Sequence, residues 1–331
     1  MAYRRGCLLL RGRSAAPATV AAVLLVMAFS QGPATRSRGV GGSPPLAAML
    51  KPGAAACGGA YGPQVGRRAS GHAGGGRAAP VDTIIFDIDD TLYSASCGFS
   101  NHRMEEVTRD FMIERLGFDS PEAARELWSE YIRRYHSTLK GLTVAQAEGR
   151  LPRPFRQEEL GQYWADHCDY GKYIKPDPDL VDMMRTLQAE ANLTLVAFTN
   201  APRAYGIRCL EFLGVRPFFP DERVFAVEDV MPACKPEKAA FDKVLGAVRA
   251  VPERTVMFED SMKNVRACHE LGLHTVLIAE DGGDLSGEAD LLGDVAVRDD
   301  PAVGAVLPNA AAARSMLPGL WRGVFEPAGV A

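Results

Sequence analysis

Residues 83–93, TIIFDIDDTLY, place an apolar run directly before three aspartates, Asp87, Asp89 and Asp90. A nearly continuous apolar run of this length is typical of a strand that is buried on both faces of a parallel sheet. Carboxylates at the end of such a strand repel one another, and at ~4 Å with an effective dielectric of ~20 each pair costs roughly 4 kcal/mol. The stretch therefore predicts a central strand that ends in a site where a cation or bound protons compensate negative charge.

From residue 81 onward, short β-branched or aromatic runs alternate with segments of helical spacing. The runs are VDTIIFD (81–87), LTLVAFT (193–199), RVFAVED (223–229), TVMFED (255–260) and TVLIAE (275–280). The helical segments between them are PRAYGIRCLEFLG (202–214), KPEKAAFDKVLGAV (235–248) and SMKNVRACHELG (261–272). Gly214 and Gly272 stand where a helix C-cap is expected. This alternation predicts an α/β fold, a doubly wound, Rossmann-like parallel sheet.

A long insertion separates the first two predicted strands. Residues 94–190 contain several segments of helical spacing and no strand pattern, and Ser120-Pro121-Glu122 is typical of a helix start. We therefore predict a small all-helical cap at 94–190, inserted into a core formed by 81–93 and 191–302. The segment DVAVRD at 294–299 suggests an edge strand, and residues 303–331 are expected to form a weakly structured tail.

Residues 1–80 resemble a targeting presequence of low complexity rather than a folded domain. They contain 10 of the 37 Lys and Arg residues and none of the 41 Asp and Glu residues. An apolar run at 20–29, too short to span a bilayer, follows several arginines as in a secretory signal, and the acid-free stretch behind it resembles a transit peptide. A signal followed by a transit segment predicts a plastid protein; a mitochondrial or single chloroplast presequence, or a cytosolic enzyme with a later start, are the alternatives.

The rest of the chain is acidic, with 27 basic against 41 acidic residues. This balance argues against nucleic acid as a partner, since binding phosphate backbones requires clustered cations. We also expect no stable association with membranes once the presequence is removed.

Polar side chains follow three predicted strands at their carboxyl ends, where open α/β sheets bind ligands. They are Asp87 and Asp89 after the first strand, Thr199 and Asn200 after the second, and Glu259 and Asp260 after the fourth. Four carboxylates with no His or Cys beside them favour a hard cation with oxygen ligands. We therefore predict Mg²⁺ as the cofactor.

The spacing of Asp87 and Asp89 puts both side chains on one side of the strand's end. One carboxylate can then attack phosphorus while the other delivers a proton to the leaving oxygen. Lys235 would bring positive charge to the nucleophile and the phosphoryl group, and Thr199 with the Asn200 backbone would hold a phosphate oxygen by hydrogen bonds. The pattern predicts transfer of a phosphoryl group.

Four motifs in chain order resemble those of the haloacid dehalogenase (HAD) superfamily of aspartate-nucleophile phosphohydrolases. They are DIDDT (87–91), FTN (198–200), KP (235–236) and FEDSMKN (258–264). With their flanking sequences, over residues 81–280, they look closest to the pyrimidine 5′-nucleotidase subfamily of fungi and plants, which carries a helical C1-type cap after the first motif.

This resemblance implies that Asp87 is the nucleophile that forms an aspartyl-phosphate and that Asp89 is the general acid and then the base. It also implies that Thr199 and Lys235 stabilise phosphate and charge, and that Asp87, the Asp89 backbone carbonyl and Asp260 hold Mg²⁺. Where many relatives have a second aspartate this chain has Glu259, so the part of Glu259 in metal binding is less well defined.

We expect a Mg²⁺-dependent HAD-type phosphatase that releases phosphate from UMP- or CMP-like nucleoside monophosphates. The alternatives are a phosphatase or mutase for another small phosphorylated metabolite, such as a sugar phosphate, pyridoxal phosphate or phosphoglycolate, and a non-catalytic scaffold. In the cap, His136 and Lys140 are candidates to face the base or ribose, although a packed helix with a solvated basic face would explain the same pattern.

Overall fold

The strand predicted before Asp87 lies in the middle of a six-stranded parallel sheet. The structure, a computed structural model, describes residues 79–280 and 298–327, which belong to one compact unit. In chain order the strands are β1 (Ala79–Pro80), β2 (Thr83–Phe86), β3 (Thr194–Phe198), β4 (Val224–Phe225), β5 (Thr255–Glu259), β6 (His274–Ile278), β7 (Ala305–Leu307) and β8 (Val324–Phe325). The main sheet has the order β4-β3-β2-β5-β6-β7, and β1 pairs with β8 in a separate antiparallel ladder. The predicted doubly wound α/β fold is confirmed.

The centre of the sheet is buried on both faces because side chains of β2 alternate between two clusters. Ile84 and Phe86 pack into the larger hydrophobic core, whereas Ile85 packs with Val196 and Met257 on the opposite face. The parallel register of β2 with β3 and β5 brings the residues that follow these strands to one edge of the sheet. That edge carries the predicted polar residues.

Helices cover the sheet and build the insertion after β2. They are α1 (Phe99–Asn101), a π-helix (His102–Val107), α2 (Thr108–Glu114), α3 (Pro121–Tyr135), α4 (Thr138–Ala147), α5 (Gln157–His167), α6 (Tyr170–Tyr173), α7 (Pro178–Glu190), α8 (Arg203–Phe212), α9 (Val227–Val230), α10 (Lys238–Val248), α11 (Met262–Glu270) and α12 (Ala313–Met316). Gly214 and Gly272 have positive φ angles of 76° and 89° just beyond α8 and α11. Both therefore occupy the left-handed conformation that the C-cap prediction requires.

The insertion at 94–190 contains helices and no strand, as its pattern predicts. The Ser120 side chain accepts a hydrogen bond from the Ala123 N–H (3.2 Å) and so begins α3 at the predicted place. Phe111, Trp128 and Leu160, from α2, α3 and α5, are buried in the core of the insertion. We use the name cap for α1 to α6 together with the π-helix.

The last helix predicted for the cap, α7, packs elsewhere. Its main contacts are with β3 and with the segments near residues 310 and 320, so it belongs to the layer that covers the sheet. An amphipathic pattern shows that one side of a helix is buried but does not show which surface covers it. By its packing, the cap therefore ends before α7 and not at residue 190.

The predicted strand at 223–229 is shorter than its apolar run. Only Val224 and Phe225 pair with β3, and α9 begins immediately afterwards. The Asp229 carboxylate accepts a hydrogen bond from the Ala226 N–H (2.8 Å), and Arg203 forms an ion pair with Asp229 (2.7 Å). The start of this short helix is thus fixed by side-chain contacts that the strand pattern does not include.

The prediction of a weakly structured tail at 303–331 is wrong for its described part. β7 extends the main sheet, β8 pairs with β1, and Leu307, Leu320 and Phe325 are at most 1% exposed. Trp321 Nε1 donates a hydrogen bond to Thr186 Oγ1 in α7 (2.9 Å). The buried residues are spaced irregularly among Ala and Pro, so no periodic pattern marks this segment as ordered.

The predicted presequence and most of the predicted edge strand at 294–299 lie outside the described residues. Among the residues described, no helix combines the length and the apolar character needed to cross a membrane.

The C-terminal segment is expected to contribute strongly to stability. Phe325→Ala removes a buried ring that stacks on His274 (centroids 4.9 Å apart), and should lower the free energy of unfolding by about 3–5 kcal/mol. Urea-induced unfolding measures this difference. Met316→Ala is the control, because Met316 is 49% exposed and its removal should change stability by at most about 0.5 kcal/mol. Equal stabilities of the two variants would contradict the packing of this segment.

Candidate active site

A cleft opens at the carboxyl ends of β2, β3 and β5, where the cap meets the sheet. Its lining includes Asp87, Asp89, Thr199, Asn200, Lys235, Glu259 and Asp260 from the core and Arg103, Met104, His136, Ser137 and Trp164 from the cap. All the predicted core residues therefore lie together, and His136 joins them from the cap. Lys140 is placed differently: it forms an ion pair with Glu237 and is not among the described residues that line the cleft.

Lys235 is the buried positive charge at the floor of the cleft. Its Nζ donates to Asp87 Oδ1 (2.5 Å), to Glu259 Oε2 (2.9 Å) and to the Phe198 carbonyl oxygen (3.0 Å), and the residue is only 1% exposed. Burial alone would lower the pKa of Lys235, but the charges of Asp87 and Glu259 raise it above its ordinary value. Lys235 therefore stays a cation at neutral pH and holds the ends of three strands together.

Asp87 is the first aspartate of the motif and lies at the end of β2. Burial raises its pKa well above the ordinary value, Lys235 opposes this shift, and the charges of Glu259 and Asp89 add to it. Burial, with a smaller contribution from the neighbouring carboxylates, thus outweighs the stabilisation that Lys235 gives to the ionised form of Asp87. A cation bound to the cleft would favour the ionised form of Asp87, which is the form that can act as a nucleophile.

Glu259, whose part the sequence leaves open, is already engaged by protein donors. Its Oε2 accepts from Lys235, while its Oε1 accepts from Asn264 Nδ2 (3.0 Å) and from the Ser261 N–H (3.4 Å). Because both oxygens are used, this arrangement favours Glu259 as the residue that positions Lys235. Asn264 was not singled out from the sequence, although it lies in the FEDSMKN motif.

The donor set of the cleft fits Mg²⁺. Carboxylate oxygens of Asp87, Glu259 and Asp260 lie within 4.8 Å of one another, and hard oxygen donors with an excess of negative charge are what this ion prefers. Asp87 and Asp260 would hold the ion, with the backbone carbonyl of Asp89 as the third ligand that the motif implies. The Asp89 side chain is occupied by other contacts.

The Asp89 carboxylate is surrounded by donors. Its Oδ1 accepts from Tyr93 Oη and Tyr205 Oη, both at 2.6 Å, and its Oδ2 accepts from Arg103 Nη1 and Thr199 Oγ1, both at 3.4 Å. Burial raises the pKa of Tyr93 and of Tyr205 well above the ordinary value, so both phenols remain donors at neutral pH. The two motif aspartates therefore lie in different environments, one beside a lysine and the other beside phenols.

Tyr93, Arg103 and Tyr205 were not predicted from the sequence. Arg103 occurs in the predicted helical insertion, yet it is 3% exposed and its guanidinium lies over the rings of Trp164 (4.9 Å) and Tyr205 (5.0 Å). The π-helix changes the register of its side chains, which no apolar period reveals. Tyr93 could have been noticed, because it follows the motif directly.

The predicted phosphate-binding residues divide their roles. Thr199 is buried and its Oγ1 also accepts from the Ala201 N–H (3.0 Å). The Asn200 side chain donates to the carbonyl oxygens of Lys235 (2.8 Å) and His136 (3.2 Å), so it ties the cap to the core. The sequence analysis predicted a role only for the Asn200 backbone. The bridging role of its side chain is an additional finding.

The parallel α/β fold with an acidic cleft at the carboxyl ends of its strands is typical of a hydrolase. A family model for haloacid dehalogenase-like hydrolases matches residues 81–272, and the chain belongs to that family.

Curated relatives share about a quarter of their residues with this chain. Phosphate metabolism protein 8 of Saccharomyces cerevisiae is 27% identical over 210 residues, which is 60% of this chain and 62% of the relative. The chain thus spans less than two thirds of that relative's length. Glyceraldehyde 3-phosphate phosphatase of Methanopyrus kandleri is 24% identical over 207 residues, 60% of this chain and 84% of the relative. Among solved structures, a HAD phosphatase from Thermococcus onnurineus is 20% identical with a TM-score of 0.49, covering 72% of this chain and 99% of its own.

Binding of Mg²⁺ is expected to stabilise the fold through Asp260. At about 100 times its Kd the ion should add about 2.7 kcal/mol to the free energy of unfolding, and Asp260→Asn should remove most of this gain. Thermal unfolding with and without MgCl₂ measures it. Asp242→Asn, an exposed residue paired with Lys238, is the control that should respond like the unchanged protein. Equal gains in both variants would show that Asp260 does not hold the ion.

Proposed function

We propose that this chain is a Mg²⁺-dependent phosphomonoesterase that works through an aspartyl-phosphate on Asp87. The observation that carries the proposal is the pair of motif aspartates in contrasting environments, with Lys235 Nζ 2.5 Å from Asp87 Oδ1 and two phenols on Asp89. Lys235 and a bound Mg²⁺ would together favour the charged form of Asp87, which is the form that acts as a nucleophile. Asp89 accepts its two short hydrogen bonds from neutral phenols, with the Arg103 cation more distant at 3.4 Å, which suits a group that exchanges a proton.

In the first half of the proposed reaction, an Asp87 oxygen attacks phosphorus and the bond from phosphorus to the leaving oxygen breaks. Asp89 gives its proton to that oxygen, so the leaving group departs as an alcohol. Lys235 stabilises negative charge near Asp87, and Thr199 with the Asn200 N–H donates to a phosphoryl oxygen. Bound Mg²⁺ would supply further positive charge to the phosphoryl oxygens.

In the second half, a water oxygen attacks the phosphorus of the aspartyl-phosphate. Asp89, now a carboxylate, accepts a proton from this water, and the bond between phosphorus and the Asp87 oxygen breaks. Inorganic phosphate leaves, and both aspartates return to their initial protonation states. The cycle therefore needs no further reactant besides substrate and water.

For the substrate, we propose pyrimidine nucleoside monophosphates, with the helical insertion acting as a C1-type cap. The proposal is supported by the motif sequences, which look closest to the pyrimidine 5′-nucleotidases, and by the cap residues Met104, His136 and Trp164 at the cleft. Another small phosphorylated metabolite is the second candidate, because the name of the Methanopyrus kandleri relative states a triose phosphate as substrate.

Asp87→Asn should abolish turnover without unfolding the protein. Replacing the nucleophile removes the covalent step, so phosphate release with MgCl₂ should fall by about 10⁴-fold or more. Asp82→Asn is a matched control at the opposite end of the same strand, where Asp82 pairs with Arg254, and it should keep its activity. Appreciable turnover by Asp87→Asn would contradict the assignment of the nucleophile.

The identity of the leaving group can be measured with a substrate panel. We expect kcat/KM for UMP and CMP to exceed that for glyceraldehyde 3-phosphate, a hexose phosphate, pyridoxal phosphate and phosphoglycolate. A higher value for one of the other phosphates would retain the chemistry at Asp87 and replace the nucleotide proposal. No release from any of them would favour a scaffold.

A further inference from the structure

The Asp89 carboxylate is held unevenly, and the asymmetry identifies the oxygen that can carry a proton. Two phenols donate to Oδ1 at 2.6 Å, whereas the contacts of Oδ2 with Arg103 and Thr199 are both 3.4 Å long. An oxygen that already accepts two short hydrogen bonds is a poor place for a further proton. A proton on Asp89 therefore lies on Oδ2.

The two phenols have their own supports in the core and the cap. Tyr205 projects from α8, and its ring lies beside Trp164 (centroids 5.4 Å apart) and Phe99 (6.0 Å). Tyr93 also contacts Ser100 Oγ (3.3 Å), which itself donates to Asp90 (2.8 Å). The phenols are thus fixed by packing and hydrogen bonds, so they can fix the carboxylate in turn.

Arg103 brings the cap into the same network. It lies on the π-helix, a rare element that is frequent at functional sites, and its guanidinium reaches across the cleft to Asp89. The faces of Trp164 and Tyr205 hold the cation within about 5 Å of each ring. Because Arg103 belongs to the cap and Asp89 to the core, this contact exists only when the cap lies over the cleft.

We propose that Tyr205 and Arg103 are positioning residues for Asp89, which aim Oδ2 at the leaving oxygen. The inference rests on the proposed function, since it assumes that Asp89 is the acid. After the proton has left, two phenols and one guanidinium stabilise the carboxylate that remains. The substrate's phosphorus and the nucleophile Asp87 are outside this network.

The proposal predicts a defect that depends on the leaving group. Nitrophenolate departs without a proton, whereas an alkoxide requires one, so a misplaced acid slows the phosphorylation of Asp87, the step that kcat/KM reports, only for the second kind of substrate. Hydrolysis of the adduct, which needs Asp89 as the base, is common to both substrates and affects kcat. In Tyr205→Phe and Arg103→Met, kcat/KM for benzyl phosphate should fall by about 10- to 100-fold, while kcat/KM for 4-nitrophenyl phosphate should change by less than about 3-fold. These two substrates have rings of similar size, so their binding is closely matched.

Tyr170→Phe is the matched control for Tyr205→Phe. Tyr170 is buried in the same aromatic cluster, but its hydroxyl donates to the Trp164 carbonyl oxygen (3.0 Å) instead of to Asp89. Its ratio of the two kcat/KM values should equal that of the unchanged protein. Circular dichroism and kcat/KM for 4-nitrophenyl phosphate both report whether each variant is folded.

Equal losses for the two substrates in Tyr205→Phe and Arg103→Met, or no loss for either, would overturn the positioning role while leaving the proposed function intact. Absence of phosphate release by the unchanged protein from both substrates would instead overturn the proposed function, and the positioning role with it.

Discussion

The site depends on one buried ammonium group. Lys235 Nζ contacts a carboxylate from the end of β2, a carboxylate from the end of β5 and a backbone carbonyl from the end of β3. Removing these charges from water costs several kcal/mol per ion, and only close, well-aligned partners offset that cost. The strand ends must therefore stay in register, and the parallel sheet with its two covered faces provides that register. The same contact aligns Asp87, the proposed nucleophile, before substrate arrives.

A lysine with two carboxylates leaves the cleft short of positive charge, and this shortage suits its proposed task. A divalent cation would supply the missing positive charge and would also attract the anionic phosphoryl group of a substrate. Asp87 is placed within this charged set, whereas Asp89, two residues further on, is turned toward phenols and the cap. The division of roles between two neighbouring aspartates thus comes from their surroundings and not from their chemical type.

Sequence patterns predicted the sheet and the core of the site because both follow short rules. Apolar runs identify buried strands, and parallel strands place the residues after them at one edge, so Asp87, Thr199 and Glu259 could be brought together without a structure. Lys235 was assigned to the site from the order of the four motifs along the chain. These rules apply to local sequence, which is why they worked best for the central strands.

Sequence patterns did not predict the contacts of residues whose placement depends on tertiary packing. Arg103 and Tyr205 meet Asp89 only because a π-helix and the cap fold over the cleft, and neither event leaves a period in the sequence. Lys140 was predicted as a candidate to face the base or ribose, but it pairs with Glu237 across the boundary between cap and core. In the tail, Phe325 is buried by a two-residue ladder with β1, too short to be predicted.

Asp87 is proposed to carry the phosphoryl group, and trapping that adduct tests this role most directly. In Asp89→Asn, 4-nitrophenyl phosphate should still load Asp87, because nitrophenolate needs no acid, but hydrolysis of the adduct should be slow without the base. Acid quenching followed by peptide mass spectrometry should find one phosphoryl group per chain, on the peptide that contains Asp87. A stoichiometric release of nitrophenolate with the phosphoryl group on another residue, or with none on the protein, would contradict the account.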